Sequence, residues 1–402
     1  MRLLPPAIAA GLVLGLRTPL ALGACAPVTS ANDLCAQNAN PCVIDGKECP
    51  VVPGTTLDFG ARAVVLQHGT RLDVGAGILT VVAGSLELQA GTGILGHGGA
   101  VIVHTQGSIA VLRSGATRAR IDVADPAAAN RIELSAANGT IQIDGYLDAR
   151  GTNTDGVGGS VELTGGSILV AGDILTSGGN VGLGGPISVV SSDSILMSGT
   201  VDGSGGTGGS LDLEADGSIT TTNKIDIRAT GAGGDGGVMT VLTTTGAVTL
   251  GGKIYMQGDE GTDADGGASG GEIDVFSAAS LLLAADFEIS GAPPDGQGGD
   301  AYFMAMLDTV QTGLIQAQGR GSQSAGGSVE FDAQRSLTLG PIDLHGGDAL
   351  PDSGGGLDAT SWCDLTVPLG VTITAEGDKG ENLLHSGGQL AVQGALKAGG
   401  RN

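Results

Sequence analysis

The sequence has 402 residues, of which 75 are glycine and only nine are aromatic, namely one Trp, three Tyr and five Phe. So few bulky side chains exclude a conventional globular core, and an apolar content of 41% excludes a disordered polar chain. The 42 acidic residues outnumber the 18 basic ones and give a net charge of -24. Nucleic acid is therefore not an expected partner, because its affinity for proteins comes from Lys and Arg that neutralise phosphates.

The first 24 residues have the features of an export signal. Arg2 precedes an apolar stretch over residues 3–16, and the tetrapeptide ALGA at residues 21–24 offers small residues for cleavage. We therefore expect residues 1–24 to be a signal peptide. No later segment reaches about 18 consecutive apolar residues, so no transmembrane span is expected. The predicted location is secreted or at the cell surface of a bacterial envelope.

Four of the five cysteines, Cys25, Cys35, Cys42 and Cys49, lie close together, and Cys363 stands alone. They contain no C-x-x-C pair, so a zinc site is not expected, and export to an oxidising compartment favours disulfides. We expect residues 25–55 to be a Cys-rich cap on the N-terminal end of the fold. The tetrapeptide LGAC that ends at Cys25 also resembles a bacterial lipobox. Two interpretations stay open: plain cleavage and secretion, or lipid attachment at Cys25 that anchors the protein to a membrane.

A repeat organises the chain and is most regular from residue 158 onward. Its clearest copy is GGSVELTGGSILVAGDILTSGG at residues 158–179, in which a glycine pair precedes three short apolar segments. The glycines that begin each copy are Gly98, Gly158, Gly184, Gly208, Gly236, Gly270, Gly298, Gly326, Gly354 and Gly387. From Gly158 the intervals are 26, 24, 28, 34, 28, 28, 28 and 33 residues. Self-similarity of this kind is typical of a repeat solenoid.

Within each repeat, apolar and polar residues alternate with a period of two, which predicts short β-strands. Residues expected to face inward after the glycine pairs include Val161/Leu163, Ala301/Phe303, Val329/Phe331 and Leu390/Val392. Three strands per unit, with no helical pattern, predict an all-β fold: a right-handed parallel β-helix (solenoid) of about a dozen three-strand coils over residues 56–402. Like positions should then stack on successive coils, with Phe303 above Phe331.

The units resemble the right-handed parallel β-helical passengers of exported bacterial surface proteins, of the filamentous-haemagglutinin-like and autotransporter type. The similarity covers roughly residues 56–402 and rests on the Gly/Val/Leu repeat. It implies adhesion or surface display. The partner would then be an extracellular polysaccharide or the surface of a host or neighbouring cell.

Outward acids of the third strand are the strongest candidates for chemistry. On successive coils this position carries Asp202, Asp226, Tyr255, Glu288, Gln316 and Asp343. Asp202 and Asp226 are expected to lie about 5 Å apart, the carboxylate separation of retaining glycosidases, and Lys224 and Lys253 fall close to the same column. A polysaccharide lyase or hydrolase is therefore an alternative. Because acids recur on almost every coil and aromatic platforms are scarce, we favour a solvated charged face and assign no catalytic residue.

The longest loop of the repeat region gathers four acids within seven positions. Asp259, Glu260, Asp263 and Asp265 stand in GDEGTDADGG at residues 258–267. Oxygen ligands on a glycine-rich backbone suit Ca²⁺, and no other cofactor is expected. Two interpretations remain: a solvated acidic insertion, or a metal site that would make the protein a Ca²⁺-stiffened structural surface protein.

Taken together, these features favour a non-enzymatic extracellular or cell-surface scaffold with an adhesive role. The segment GGQLAVQGALKAGGRN at residues 387–402 continues the repeat without a recognisable polar cap. Unpaired strand edges associate readily with other strands, so we also expect edge-to-edge self-association at the C-terminal coil.

Overall fold

Three parallel β-sheets run side by side along the described chain. The structure is a computed structural model that describes residues 23–126, 130–260, 267–321, 324–347, 354–377 and 379–399. Each sheet takes one strand from successive turns, and the turns stack into an all-β solenoid of about 13 turns. The parallel β-helix predicted from the repeat is therefore confirmed.

Sheet 1 holds the strand that follows the glycine pair in most repeats, and its 13 strands pair in chain order. They are Thr56–Asp58, Ile78–Ala83, Ala100–Thr105, Arg131–Ala136, Ser160–Gly165, Pro186–Ser191, Ser210–Ala215, Val238–Thr243, Glu272–Ser277, Asp300–Ala305, Ser328–Ala333, Gly356–Ser361 and Glu381–Ser386.

Sheet 2 holds the second strand of each turn and has 14 strands. They are Cys42–Asp45, Ala63–Gln67, Ser85–Leu88, Ile109–Val111, Ile141–Ile143, Ile168–Val170, Ile195–Met197, Ile219–Thr221, Val248–Leu250, Leu281–Leu283, Thr309–Gln311, Leu337–Thr338, Leu365–Val367 and Leu390–Val392.

Sheet 3 holds the closing strand of each turn and has 15 strands. They are Gly23–Ala24, Lys47–Pro50, Arg71–Gly75, Gly93–Gly96, Arg120–Asp122, Tyr146–Asp148, Asp173–Leu175, Val201–Asp202, Ile225–Asp226, Lys253–Tyr255, Asp286–Glu288, Ile315–Gln316, Ile342–Asp343, Thr372–Ala375 and Ala395–Ala398. Outside the three sheets lie two antiparallel pairs, Arg113–Ser114 with Thr117–Arg118 and Asp295–Gly296 with Arg320–Gly321, and the 3-10 helix Ala31–Asp33.

Alternate side chains of these strands fill one apolar core. In the strand Ser160–Gly165, Val161 and Leu163 are fully buried, whereas Glu162 between them is only partly buried. The buried residues of all three sheets form a single cluster along the solenoid. Each turn covers the apolar face of the turn before it, so a core made of small and β-branched side chains is sufficient.

Like side chains stack on successive turns, as the repeat predicts. Phe303 lies in register with Phe331 on the next turn, and their ring centroids are 5.1 Å apart. Phe287 packs against Phe303 edge-on at 5.6 Å. Three of the five phenylalanines of the sequence therefore form one buried stack.

The glycine pairs occupy a corner where the backbones of consecutive turns touch. A Cβ atom on Gly185 would fall 1.9 Å from the carbonyl oxygen of Gly159 on the preceding turn, and one on Gly158 would fall 1.9 Å from the carbonyl oxygen of Thr176. The amide of Gly185 donates a hydrogen bond to that Thr176 carbonyl at 2.8 Å. Any side chain here would displace the backbone, which is why the repeat begins with two glycines.

The last described turn begins earlier than the glycine pattern indicates. Its sheet 1 strand is Glu381–Ser386, in register with Gly356–Ser361, and Gly380 stands at the corner without a second glycine before it. Leu390 and Val392 were expected to face inward on sheet 1, but they lie on sheet 2, in register with the buried Leu365 and Val367. They continue the inward columns of that sheet, and they are 48% and 40% exposed because they lie on the last turn of the described chain. The assignment to sheet 1 was wrong because the glycine pair at residues 387–388 forms the corner between sheets 1 and 2.

Sheets 2 and 3 include strands of the Cys-rich segment at residues 25–55. The strands Cys42–Asp45 and Lys47–Pro50 pair with the strands that follow them in sheets 2 and 3. The expected disulfides are present, Cys25 with Cys49 and Cys35 with Cys42, and Cys363 keeps a free, exposed thiol. Across the described ranges, no helix has the length and hydropathy that a bilayer crossing needs.

Candidate functional site

One outward column of sheet 3 carries acidic side chains on many turns. We call it the charged ladder, and its members in register are Asp122, Asp148, Leu175, Asp202, Asp226, Tyr255, Glu288, Gln316 and Asp343. The column expected from Asp202 to Asp343 is therefore confirmed, and Asp202 lies directly beside Asp226. The ladder also continues toward the N-terminus, to Asp122, beyond the residues that the repeat indicated.

Four acids of the ladder contact the side chain of the residue two positions further along the chain. The pairs are Asp148 with Arg150 at 2.7 Å, Asp202 with Ser204 at 2.7 Å, Asp226 with Arg228 at 3.2 Å and Asp343 with His345 at 2.7 Å. Residues i and i+2 of an extended chain point to the same side, so the spacing D-x-R, D-x-S or D-x-H places a donor beside each carboxylate. This spacing is visible in the sequence, although the positions of the acids alone do not reveal it.

Asp226 is the most enclosed acid of the central turns. Its side chain is only 6% exposed, and its carboxylate lies 2.7 Å from Lys224 Nζ and 3.2 Å from Arg228 Nε. A buried charge without a partner costs several kcal/mol, so the two cations are what allow an acid at this position. They also cover the carboxylate, which leaves little of it accessible from solvent.

Tyr255 follows Asp226 in the ladder and is surrounded by cations. Lys224 Nζ and Arg228 Cζ each lie 5.3 Å from its ring centroid, and Lys253 Nζ lies at 6.0 Å. Cations at this distance are attracted to the electron-rich face of the ring. Lys224 and Lys253, which the sequence placed near the acid column, both lie over the tyrosine ring, and Lys224 also pairs with Asp226. The ring is therefore not a free platform for a sugar.

Two acids face each other in the N-terminal part of the ladder. Asp122 is in register with Asp148 on the next turn. Burial raises the pKa of Asp122, and the negative charge of Asp148 raises it further. Arg150 binds Asp148 through two hydrogen bonds of 2.7 and 2.9 Å, and the first cause of its own raised pKa is this bonding. The ladder therefore combines repulsion between turns with ion pairs along the chain.

A groove of about 360 Å³ opens beside the ladder. Arg228 and Arg320 contribute to its lining, together with Gln257, Asp259 and Glu260. Arg320 is also 3.7 Å from Glu288 of the ladder, to which Gln257 donates a hydrogen bond. Both signs of charge line the groove, and its cations are already paired with ladder acids.

The groove contains two of the four predicted metal ligands, Asp259 and Glu260. Asp263 and Asp265 lie outside the described residues. In the part of the chain that is described, no three His, Cys, Asp or Glu side chains gather as a metal site requires. Ca²⁺ binding by this loop stays a prediction.

Cys25, the candidate for lipid attachment, forms a disulfide with Cys49. A thioether to lipid and a disulfide would use the same sulfur atom, so one molecule contains one or the other. Lipid attachment at Cys25 stays a prediction that competes with this disulfide.

The arginines of the groove were not found from the sequence. Arg228 could have been recognised from its spacing to Asp226, whereas Arg320 comes from a loop of variable length on a later turn.

Comparisons with protein-family models, with curated proteins and with solved structures gave no match. The likeness of the repeats to exported bacterial β-helical proteins is consequently one of architecture.

Proposed function

We propose that the protein is a non-enzymatic scaffold of the extracellular space or the cell surface with an adhesive role. The observation that supports the proposal most is that the ladder acids are already engaged in ion pairs and hydrogen bonds. They are bound by partners along the chain, turn after turn, rather than converging on one walled cleft. Such a column of solvated, paired charges keeps a long rod soluble without requiring a reaction.

The proposed location rests on three features. The two disulfides fit an oxidising compartment outside the cytoplasm. The first 24 residues have the pattern of a signal peptide, and the repeats are similar to those of exported bacterial surface proteins. Together they support secretion or display on a bacterial envelope, where a β-solenoid can present a long surface to polysaccharide or to another cell.

A polysaccharide hydrolase or lyase is the second candidate, because Asp202 and Asp226 occupy neighbouring rungs. A glycosidase needs one carboxyl that donates a proton and one that approaches the sugar. Asp226 is nearly buried under Lys224 and Arg228, and Asp202 accepts hydrogen bonds from the amide and hydroxyl of Ser204. This arrangement supports a structural role for both acids over a catalytic one.

The two candidates are separated by mixing the purified chain with a panel of neutral and acidic polysaccharides, with and without Ca²⁺. Retention of the chain on the polysaccharide and release of new chain ends are recorded together. The scaffold proposal predicts retention without cleavage.

If the chain cleaves a polysaccharide and Asp202→Asn or Asp226→Asn abolishes this cleavage, the scaffold proposal is wrong and the protein is an enzyme. The absence of retention on every polysaccharide would contradict the adhesive role toward carbohydrate. A matched control is Asp193→Asn, because Asp193 is an exposed acid at a corner outside the ladder, where it accepts a hydrogen bond from Ser167.

A further inference from the structure

Trp362 is the one tryptophan of the sequence, and 66% of it is exposed to solvent. It directly follows the sheet 1 strand Gly356–Ser361, at the corner where the chain turns toward sheet 2. An indole ring is among the largest apolar surfaces that a side chain carries, and burying it would be favourable. A large ring held in water on a rigid turn therefore indicates a surface that another molecule covers.

The neighbouring turn leaves space beside this ring. The backbone amide of Trp362 donates a hydrogen bond to the carbonyl of Ala333 on the preceding turn. On the next turn the amide of Gly387 donates in the same way to the carbonyl of Ser361, so Gly387 occupies the corner position that is equivalent to Trp362. A Cβ atom on Gly387 would lie 2.2 Å from the carbonyl oxygen of Trp362. Because this turn has glycine at that position, no side chain from its corner covers the indole.

Polar side chains surround the ring in a concavity of about 380 Å³ that is open to solvent. Ser361 and Ser386 line it, but their hydroxyls already donate to backbone carbonyls. Thr360 and His385 also line it and lie in register on neighbouring strands. In the described part of the chain these two side chains have no hydrogen-bond partner, so they can offer polar contacts to a ligand.

We propose that Trp362 is the platform of a saccharide-binding site for a neutral pyranose of an extracellular polysaccharide, an inference that rests on the adhesive role proposed above. A pyranose with equatorial hydroxyls has two faces that expose only C–H groups, and such a face packs flat against an indole. Its ring-edge hydroxyls can then bond to Thr360 and His385. The net charge of -24 repels polyanions and so favours a neutral sugar.

Tyr255 provides an internal contrast. Three cations surround its ring, whereas Trp362 has no cation at such a distance in the described structure. Unlike Tyr255, Trp362 therefore has a ring available for stacking on a neutral sugar.

The test uses the fluorescence of the chain itself, since emission excited at the long-wavelength edge of indole absorption comes from Trp362 alone. We expect cellohexaose to cause a saturable change in emission with a shift to shorter wavelength. Affinity electrophoresis on a soluble β-1,4-glucan should show retention that Trp362→Ala weakens by about tenfold or more and that Trp362→Phe partly restores. The parent chain, called wild type below, and every variant contain Cys363→Ser, so that the exposed thiol cannot form dimers in any of them.

Leu369→Ala is the matched control, because Leu369 is 82% exposed and lies on another corner of the same turn. It should leave retention unchanged. If the wild-type chain is retained but Trp362→Ala is retained equally, the site is wrong and the adhesive role stands. If no saccharide is retained, both proposals fail. A molar mass that rises with concentration in the wild type, but not in Trp362→Ala, would identify a second copy as the occupant and overturn the saccharide site.

Discussion

The surroundings of Asp122 and Asp308 shift the pKa values of the two carboxyl groups in opposite directions. Hydrogen bonds from Arg335 hold the pKa of Asp308 below its ordinary value of 3.8. Burial, followed by the charge of Asp148, holds the pKa of Asp122 above 3.8. Asp308 therefore contributes stability at pH values above 3.8 and loses it as the pH falls through its folded pKa. Asp122 is penalised in its ionised form, so its penalty applies above its folded pKa and disappears as the pH falls toward 3.8.

The substitutions Asp308→Asn and Asp122→Asn should therefore change stability with opposite signs. At about pH 7, we expect Asp308→Asn to lower the free energy of unfolding by about 0.5 kcal/mol, since the pair with Arg335 is partly exposed, and Asp122→Asn to raise it slightly. Both differences should shrink in acid, once the wild-type carboxyls are protonated. Urea midpoints at neutral and acidic pH measure them. Changes of equal sign at neutral pH would contradict the assignment.

The glycine corner belongs to the scale of one structural element, because it decides where each turn begins. Substitution of Gly185 by Ala would place a Cβ atom 1.9 Å from the Gly159 carbonyl oxygen. We expect a loss of about 1–3 kcal/mol as the backbone shifts to relieve the overlap. Gly356→Ala is the control, because a Cβ atom there meets nothing within 4 Å. Chemical denaturation should show a large loss for Gly185→Ala alone. Equal losses for both variants would show that glycine flexibility, rather than close backbone approach, matters here.

Most of a turn can be predicted from the sequence, because period-two alternation and the glycine corner are both local. The register that places Asp202 beside Asp226, and Phe303 on Phe331, follows from aligning glycine pairs. The same rule failed at residues 387–388, where a glycine pair forms a different corner of the turn. A local pattern cannot distinguish two corners when a glycine pair occurs at either of them, even though the corner of residues 387–388 holds Trp362 one turn earlier.

The candidate sites depend on how turns stack, and this is harder to predict. Lys224 was placed near the column from the sequence, and Arg228 could have been found, since both lie two residues from Asp226 on the same side of the chain. Arg320 approaches Glu288 from a loop whose length varies between turns, so no fixed spacing announces it. The exposure of Trp362 similarly depends on which residue occupies the corner one turn later.

At the scale of the whole molecule, stacking 13 turns brings like positions together, so acids lie above acids along the rod. With 42 acidic residues against 18 basic ones, repulsions outnumber the ion pairs. Raising the salt concentration from about 0.01 M to about 0.15 M shortens the screening length from about 30 Å to about 8 Å. Exposed ion pairs weaken under this change, but the more numerous repulsions weaken as well. Adding salt therefore relieves more repulsion than attraction and stabilises the folded rod.

We accordingly expect the Tm to rise when NaCl is added over this range, with the same rise for any monovalent salt. CaCl2 at equal ionic strength separates screening from binding by the loop at residues 258–267. A site in that loop would add a further increase in Tm, because a ligand bound only to the folded state stabilises it. The double variant Asp259→Asn, Glu260→Gln should remove this increase and leave the NaCl effect intact. A Tm that falls with NaCl would show instead that the ion pairs of the ladder outweigh the repulsion between its turns.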